Sequence, residues 1–149
     1  MKPEIIKATV EDIKMVVPLF DAYRVFYNQL SDIEGAEKFL QDRVSRKESI
    51  IFIAVLNGRG VGFTQLYPIF SSVSLKPALL LNDLFVVEEA REQGVAEALL
   101  NRAKEYGRQI DAKWMLLETA PDNYNAQSLY VKNGWIKQTD IFYQFSIGV

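Results

Sequence analysis

Apolar residues recur along this chain with two different spacings, and the changes between them mark out helices and strands. Residues 4–8 (Glu4-Ile5-Ile6-Lys7-Ala8) read as a short first strand. Thr9 stands where a helix cap would, with Glu11 and Asp12 in the favourable first turn. Ile13, Val16, Phe20, Tyr23 and Tyr27 then fall near helical spacing, one stripe over several turns. Ser31, with Glu34 three residues on, reads as a capping box. It opens a second helix through Phe39, Leu40 and Val44.

The period then shortens. Ser49 to Leu56 is rich in Ile, Phe and Val and ends at Asn57-Gly58-Arg59-Gly60, where Asn-Gly supplies the positive φ angles of a tight hairpin. Val61 to Ile69 is the returning strand, and Phe70 to Lys76 is read as a loop. Ala78 to Val87 is a long apolar strand, expected to be central. Glu88 to Ala96 joins it to a helix with the stripe Val95, Leu99, Ala103, Tyr106 and Ile110. Trp114 to Thr119 reads as a short buried strand. Asn123 to Asn133 is a helix with Ala126, Leu129 and Tyr130 on one face, closed by Gly134. Ile136–Gln138 and Ile141–Ser146 are expected to finish the sheet. The order β-α-α-β-β-β-α-β-α-β-β implies an α/β (α+β) domain, a mixed sheet flanked by helices.

Composition narrows the class. A chain of 149 residues, 49% apolar, suits a single domain over 1–149 with a sizeable core. No run approaches the roughly eighteen apolar residues of a membrane span. The start, Met1-Lys2-Pro3-Glu4, lacks the apolar block of a signal peptide, so a cytoplasmic protein is expected. The net charge is −2 and basic residues do not cluster, which argues against nucleic acid as a partner. Two absences weigh more. Without cysteine there is no disulfide, thiolate nucleophile or Cys-based zinc site. Without histidine the commonest general base and the commonest transition-metal ligand are gone. Histidine-dependent hydrolases are excluded, no metal is expected, and acid–base chemistry falls to Asp, Glu, Lys, Tyr or water.

The segment richest in chemistry is strand–turn–helix: Leu84-Phe85-Val86, then Arg91-Glu92-Gln93-Gly94-Val95-Ala96. A helix start has unpaired N–H groups and partial positive charge. Gly94 and the small Ala96 let a ligand approach the backbone, and Arg91 adds a permanent cation. Together they suit a pyrophosphate. An ordinary capped helix fits the same residues equally well.

Two motifs widen the view. Arg91-x-x-Gly94-x-Ala96 resembles the Arg/Gln-x-x-Gly-x-Gly/Ala signature of the GNAT superfamily of N-acetyltransferases. Further along the chain, Asn123-x-x-Ala126-x-x-Leu129-Tyr130-x-Lys132-x-Gly134-Trp135 is similar to that superfamily's second motif. The predicted element order fits its fold, a mixed, mostly antiparallel sheet of about six or seven strands with about four helices. Leu81-Asn82-Asp83-Leu84-Phe85-Val86 and Phe142-Tyr143 resemble the branch of spermidine/spermine and thialysine N-acetyltransferases. One position departs from the pattern. Glu92 stands where glycine or a basic residue is usual, and two like charges about 4 Å apart repel by about 1 kcal/mol in water and several times more at a protein surface. Glu97 adds a second carboxylate nearby.

The resemblance implies acetyl-CoA as co-substrate, a primary amine of polyamine or amino-acid type as acceptor, direct attack without an acyl-enzyme, and a homodimer. It places the cofactor along Leu84, Phe85 and Val86, with Val86 N–H toward the developing oxyanion, and along Arg91, Glu92, Gln93, Gly94, Val95, Ala96 and Glu97. Asn123, Tyr130 and Lys132 complete the cofactor side. Tyr130 matches the family's general acid. A phenol of pKa near 10 can protonate a thiolate whose thiol lies near 8.5, uphill by about 2 kcal/mol if unassisted. By spacing alone, Tyr130 reads as a core aromatic rather than a catalyst, and the motif match reverses that; Asn123 reads also as a helix cap. Asp83 shares a strand face with Phe85 by alternation and is the first candidate to bind the ammonium or relay its proton. A backbone-bonded strand-edge Asp is the other reading. Glu118 is a weaker candidate. Tyr23 and Tyr27, with Asp21, border the acceptor groove of this fold and can hold an alkylammonium through charge and ring faces, or simply pack.

Overall fold

The strand β1 (Glu4–Lys7) gives way at Thr9 to a 3-10 turn over Val10–Asp12 and then to α1 (Ile13–Phe26). This computed structural model describes residues 2–148, in two compact units, the first ending at Glu118 and the second beginning at Thr119. Thr9 N–H donates to the Asp12 carboxylate at 2.8 Å, so the cap forms as its sequence suggests. The buried stripe of α1 is Ile13, Val16, Val17, Leu19 and Phe20, with Asp21 beside it.

The second helix, α2 (Ile33–Ser45), is capped by Asp32, whose side chain accepts from Gly35 N–H at 2.9 Å. The expected Ser31–Glu34 box does not form. Ser31 Oγ donates instead to Asp21 at 2.7 Å, and the Asp32 N–H donates to the other Asp21 oxygen at 2.8 Å. A buried carboxylate on α1 thus outcompetes the local cap and fixes the α1–α2 connection.

Next come β2 (Ile50–Leu56), β3 (Arg59–Ser71) and β4 (Lys76–Val86). Asn57 and Gly58 have φ of 51° and 76°, the two-residue hairpin expected of Asn-Gly. The loop expected over Phe70–Lys76 is shorter than predicted, because Phe70 and Ser71 pair with Pro77 and Lys76 and extend the β3–β4 hairpin. The helix α3 (Val95–Gln109) leads to β5, which is Met115–Leu116 alone rather than the whole of Trp114–Thr119. The sheet order is β1-β2-β3-β4-β5, antiparallel except for the parallel β4–β5 pair.

Alternation divides the sheet into two faces. Ile51, Ile53 and Phe63 share a core with Val16, Phe20 and Leu40 of α1 and α2. Phe52 points the other way, with Tyr106 of α3 at 5.9 Å between ring centroids. Each fully buried side chain of this size contributes about 1.5–3 kcal/mol.

In the second unit, Asn123 caps α4 (Tyr124–Lys132), accepting from Ala126 N–H at 3.3 Å. Gly134, at φ 89°, closes the helix as its sequence position predicts. Its N–H donates to Val131 O at 3.1 Å, and Trp135 N–H reaches back to Tyr130 O at 3.0 Å. The Trp135 and Tyr130 rings lie 6.1 Å apart, the apolar contact that accompanies such a closure. The strands expected over Ile136–Gln138 and Ile141–Ser146 are absent, and the described sheet has five strands rather than six or seven. Ile136, Ile141, Phe142, Tyr143 and Phe145 are all exposed. β-forming residues need a paired, half-buried surface to form a strand, and here they have none.

Candidate active site

The strand expected to be central, β4, is fourth of the five and is left open on one side. β4 pairs with β3 along its length, but β5 accompanies it only at Leu79 and Leu80. Val87 N–H donates to Val61 O across the β3 side at 2.9 Å. Alternation along an antiparallel strand therefore turns the peptide groups of Leu84 and Val86 to the opposite side, beyond the end of β5. The carbonyl of Val86 accepts from Arg91 Nε at 2.9 Å there. What remains is a row of backbone groups suited to a ligand that adds like a strand.

Beyond β4, Glu88–Ala90 forms a 3-10 turn, and Gln93 Nε2 donates back to Glu89 O at 3.1 Å. Glu92 and Gly94 both adopt left-handed backbone, with φ of 62° and 79°. Gly94 then caps α3, whose first turn is Val95, Ala96 and Glu97. Left-handed residues followed by a helix start gather N–H groups into a concavity for an anion. Arg91 is anchored by its Nε and lies with its guanidinium 5.9 Å from the Phe85 ring. Glu92 stands exposed at a backbone position that glycine would occupy without strain.

A glycine that was not singled out in the sequence makes this junction possible. A Cβ on Gly62 of β3 would lie 2.9 Å from Phe85 O and 3.3 Å from a Val95 methyl. The signal was there, since glycine inside a strand marks close approach.

On the α1 face of β4 lies a buried polar chain. Asp83 is 1% exposed. One of its oxygens accepts from Asn82 Nδ2 at 2.7 Å, the other from Gln65 Nε2. Gln65 Oε1 in turn accepts from Ser49 Oγ at 2.6 Å. Burial raises the Asp83 carboxyl above the usual carboxylate value, and the hydrogen bonds from Asn82 and Gln65 pull it back part of the way. Tyr23 is half-buried, its hydroxyl donating to Asn82 O at 3.2 Å and its ring 6.4 Å from Phe85. Burial, then the charge of Asp83, pushes the Tyr23 phenol up, and Tyr67 is pushed up by the same causes. Both phenols therefore stay protonated.

The first unit thus brings together Asp83, Tyr23 and Leu84–Val86, and it carries Arg91 to Glu97 on the adjoining turn and helix start. Tyr27 is exposed and stacks edge-on against Tyr23 at 5.0 Å. Asp21 is committed to the α1–α2 connection, where the Ser31 hydroxyl and then the Asp32 N–H hold its carboxyl below the usual range. In the second unit, α4 carries Tyr130 and Lys132, with Asn123 as its cap. Glu118 is exposed at the end of the first unit. Ser49, Gln65, Tyr67 and the bulged Asn82 were missed in the sequence. Polar Ser and Gln within apolar strands were the available sign.

The open edge of β4 runs into a left-handed turn and helix start, a combination suited to a ligand that pairs with backbone and carries an anionic group. Residues 16–135 match the Acetyltransferase (GNAT) family, and the chain belongs to that family. It is an acetyl-CoA-dependent N-acetyltransferase. It is 50% identical over 133 residues to the "Uncharacterized N-acetyltransferase YhfO" of Bacillus subtilis (strain 168), covering 89% of each chain. It is 34% identical to a "Probable acetyltransferase" of Haemophilus influenzae, covering 82% of this chain and 84% of that one. The crystal structure of a "probable acetyltransferase" superposes with a TM-score of 0.93 at 44% identity, over 98% of this chain and 99% of that one. An aminoglycoside N-acetyltransferase in complex with CoA shares the fold, with a TM-score of 0.81 at 17% identity, over 98% of this chain and 95% of that one.

Proposed function

We propose that the protein acetylates a primary amine of a small molecule, polyamine-like or amino-acid-like, by direct attack of the amine on the thioester. The observation that carries this reading is the open edge of β4 beside Asp83 and Tyr23. Leu84, Phe85 and Val86 line the cofactor, and Val86 N–H faces the developing oxyanion. The pyrophosphate takes the turn from Arg91 to Glu97, with Asn123, Tyr130 and Lys132 also on the cofactor side. Tyr130 protonates the departing thiolate. Tyr23 and Tyr27 receive the alkylammonium, and Asp83 draws off its proton with Tyr23 between it and solvent. The resemblance to the spermidine/spermine and thialysine branch favours flexible aliphatic amines.

The test is release of CoA thiol from acetyl-CoA with spermidine, thialysine, an aminoglycoside and a lysine peptide in turn. The aminoglycoside is included because an enzyme of that specificity shares the fold. Release that depends on spermidine or thialysine supports the reading. Release with the peptide alone overturns its small-molecule part.

A further inference from the structure

The bulge in β4 sets one side chain apart from the rest of the strand. Gln65 pairs with Asp83 and Leu66 with Leu81, so Asn82 is the residue the register skips. Leu81 and Asp83 are 4% and 1% exposed, whereas Asn82 is exposed. A bulge leaves the extra residue unpaired and re-aims its side chain.

The chain of hydrogen bonds behind Asn82 has a fixed direction. An ionised carboxylate only accepts. Asp83 therefore turns the NH2 ends of both Gln65 and Asn82 toward itself, and Gln65 is held from behind by Ser49. With Nδ2 of Asn82 bound to Asp83 at 2.7 Å, the Oδ1 of the same amide is directed away from the carboxylate. The Asn82 backbone carbonyl is taken by Tyr23 hydroxyl, whose ring runs on toward Phe85. An exposed acceptor of set orientation thus stands at the end of an aromatic wall, two residues before the cofactor-lining Leu84.

We propose that Asn82 is the residue that grips the acceptor amine, its Oδ1 accepting one N–H of a primary alkylamine, and that Asp83 is a positioning residue that sets which way this amide faces. The alkyl chain lies along Tyr23 and Phe85, whose ring faces attract the ammonium form. No bond is made or broken by Asn82. It holds the nitrogen so that the lone pair, once the proton has left, points at the thioester carbon. This rests on the acetyl-transfer reading above.

Two measurements test it. In steady-state kinetics with spermidine, Asn82→Leu raises the KM for the amine about tenfold, the loss of one good hydrogen bond, while the KM for acetyl-CoA stays within about twofold. An unchanged amine KM overturns the proposal while wild-type turnover upholds acetyl transfer. The second measurement is independent of turnover. Protein carrying 15N-labelled asparagine, saturated with CoA, is titrated with propylamine, the fragment common to unbranched primary alkylamines. The Asn82 side-chain signals shift in the wild type. In Asp83→Asn, saturation needs several times more propylamine, although the protein melts no lower. Asn82 signals that stay in place in the wild type overturn the assignment of Asn82. Equal affinity in Asp83→Asn overturns the positioning role.

Discussion

The strand β4 and the helix α4 are ordered by different means. β4 is held between β3 and a core, and even its acid, Asp83, is 1% exposed and tied to Asn82 and Gln65. No residue of α4 is buried. Its ends are closed by local caps, Asn123 at one and Gly134 with Trp135 at the other. Where burial sets the structure, a substitution changes stability and function together. Where caps set it, a side chain between them can change function alone.

The largest test of that contrast is Tyr130→Phe. It removes the one hydroxyl assigned to the leaving group, and turnover is expected to fall about a hundredfold or more, the worth of a general acid. Acetyl-CoA affinity is expected to stay within about twofold by calorimetry. Unchanged turnover removes the general-acid role.

Asp83→Asn probes the buried side. Its raised carboxyl means that the folded state holds the proton more tightly than the unfolded chain. Stability on this account is fully present below the unfolded value of about 3.9 and is lost as pH rises through the higher folded value. The neutral amide escapes that loss, since its oxygen still accepts from Gln65, which Ser49 holds in place, while the exposed Asn82 turns its own oxygen to the new NH2. Thermal melts near neutral pH are expected to rise by roughly 2–4 °C, about 1 kcal/mol in a chain of this size, and the gain should vanish toward pH 4. A gain of equal size at pH 4 contradicts the burial argument.

Glu92→Gly is the smallest effect and sharpens the contrast at the edge between strand and helix. Relief of the left-handed backbone is worth up to about 1 kcal/mol. Loss of the carboxylate tightens acetyl-CoA binding severalfold at low salt and less at high salt, as screening requires. A salt-independent change points to backbone geometry rather than charge.

What could be read in the sequence follows the same division. Asn57-Gly58, Thr9 and Gly134 were legible because turn and cap chemistry is local. The turn into α3 was legible at Gly94, although the left-handed Glu92 runs against propensity. Ser31 misled, because its hydroxyl goes to Asp21, ten residues away. The bulge at Asn82 depends on how β3 and β4 align, which no window of residues encodes. The apolar alternation of Ile141–Ser146 suggests a strand, but a strand also requires a neighbour.

The unaccompanied side of β4 bears on how the protein behaves as a material. An unpaired strand edge is a template on which other chains can add. A ligand that lies along it occupies that template and also adds its binding free energy to the folded state. On the placement proposed above, CoA doubles as a protecting final strand. Preparations kept with it should stay clear on warming and storage when ligand-free ones turn cloudy.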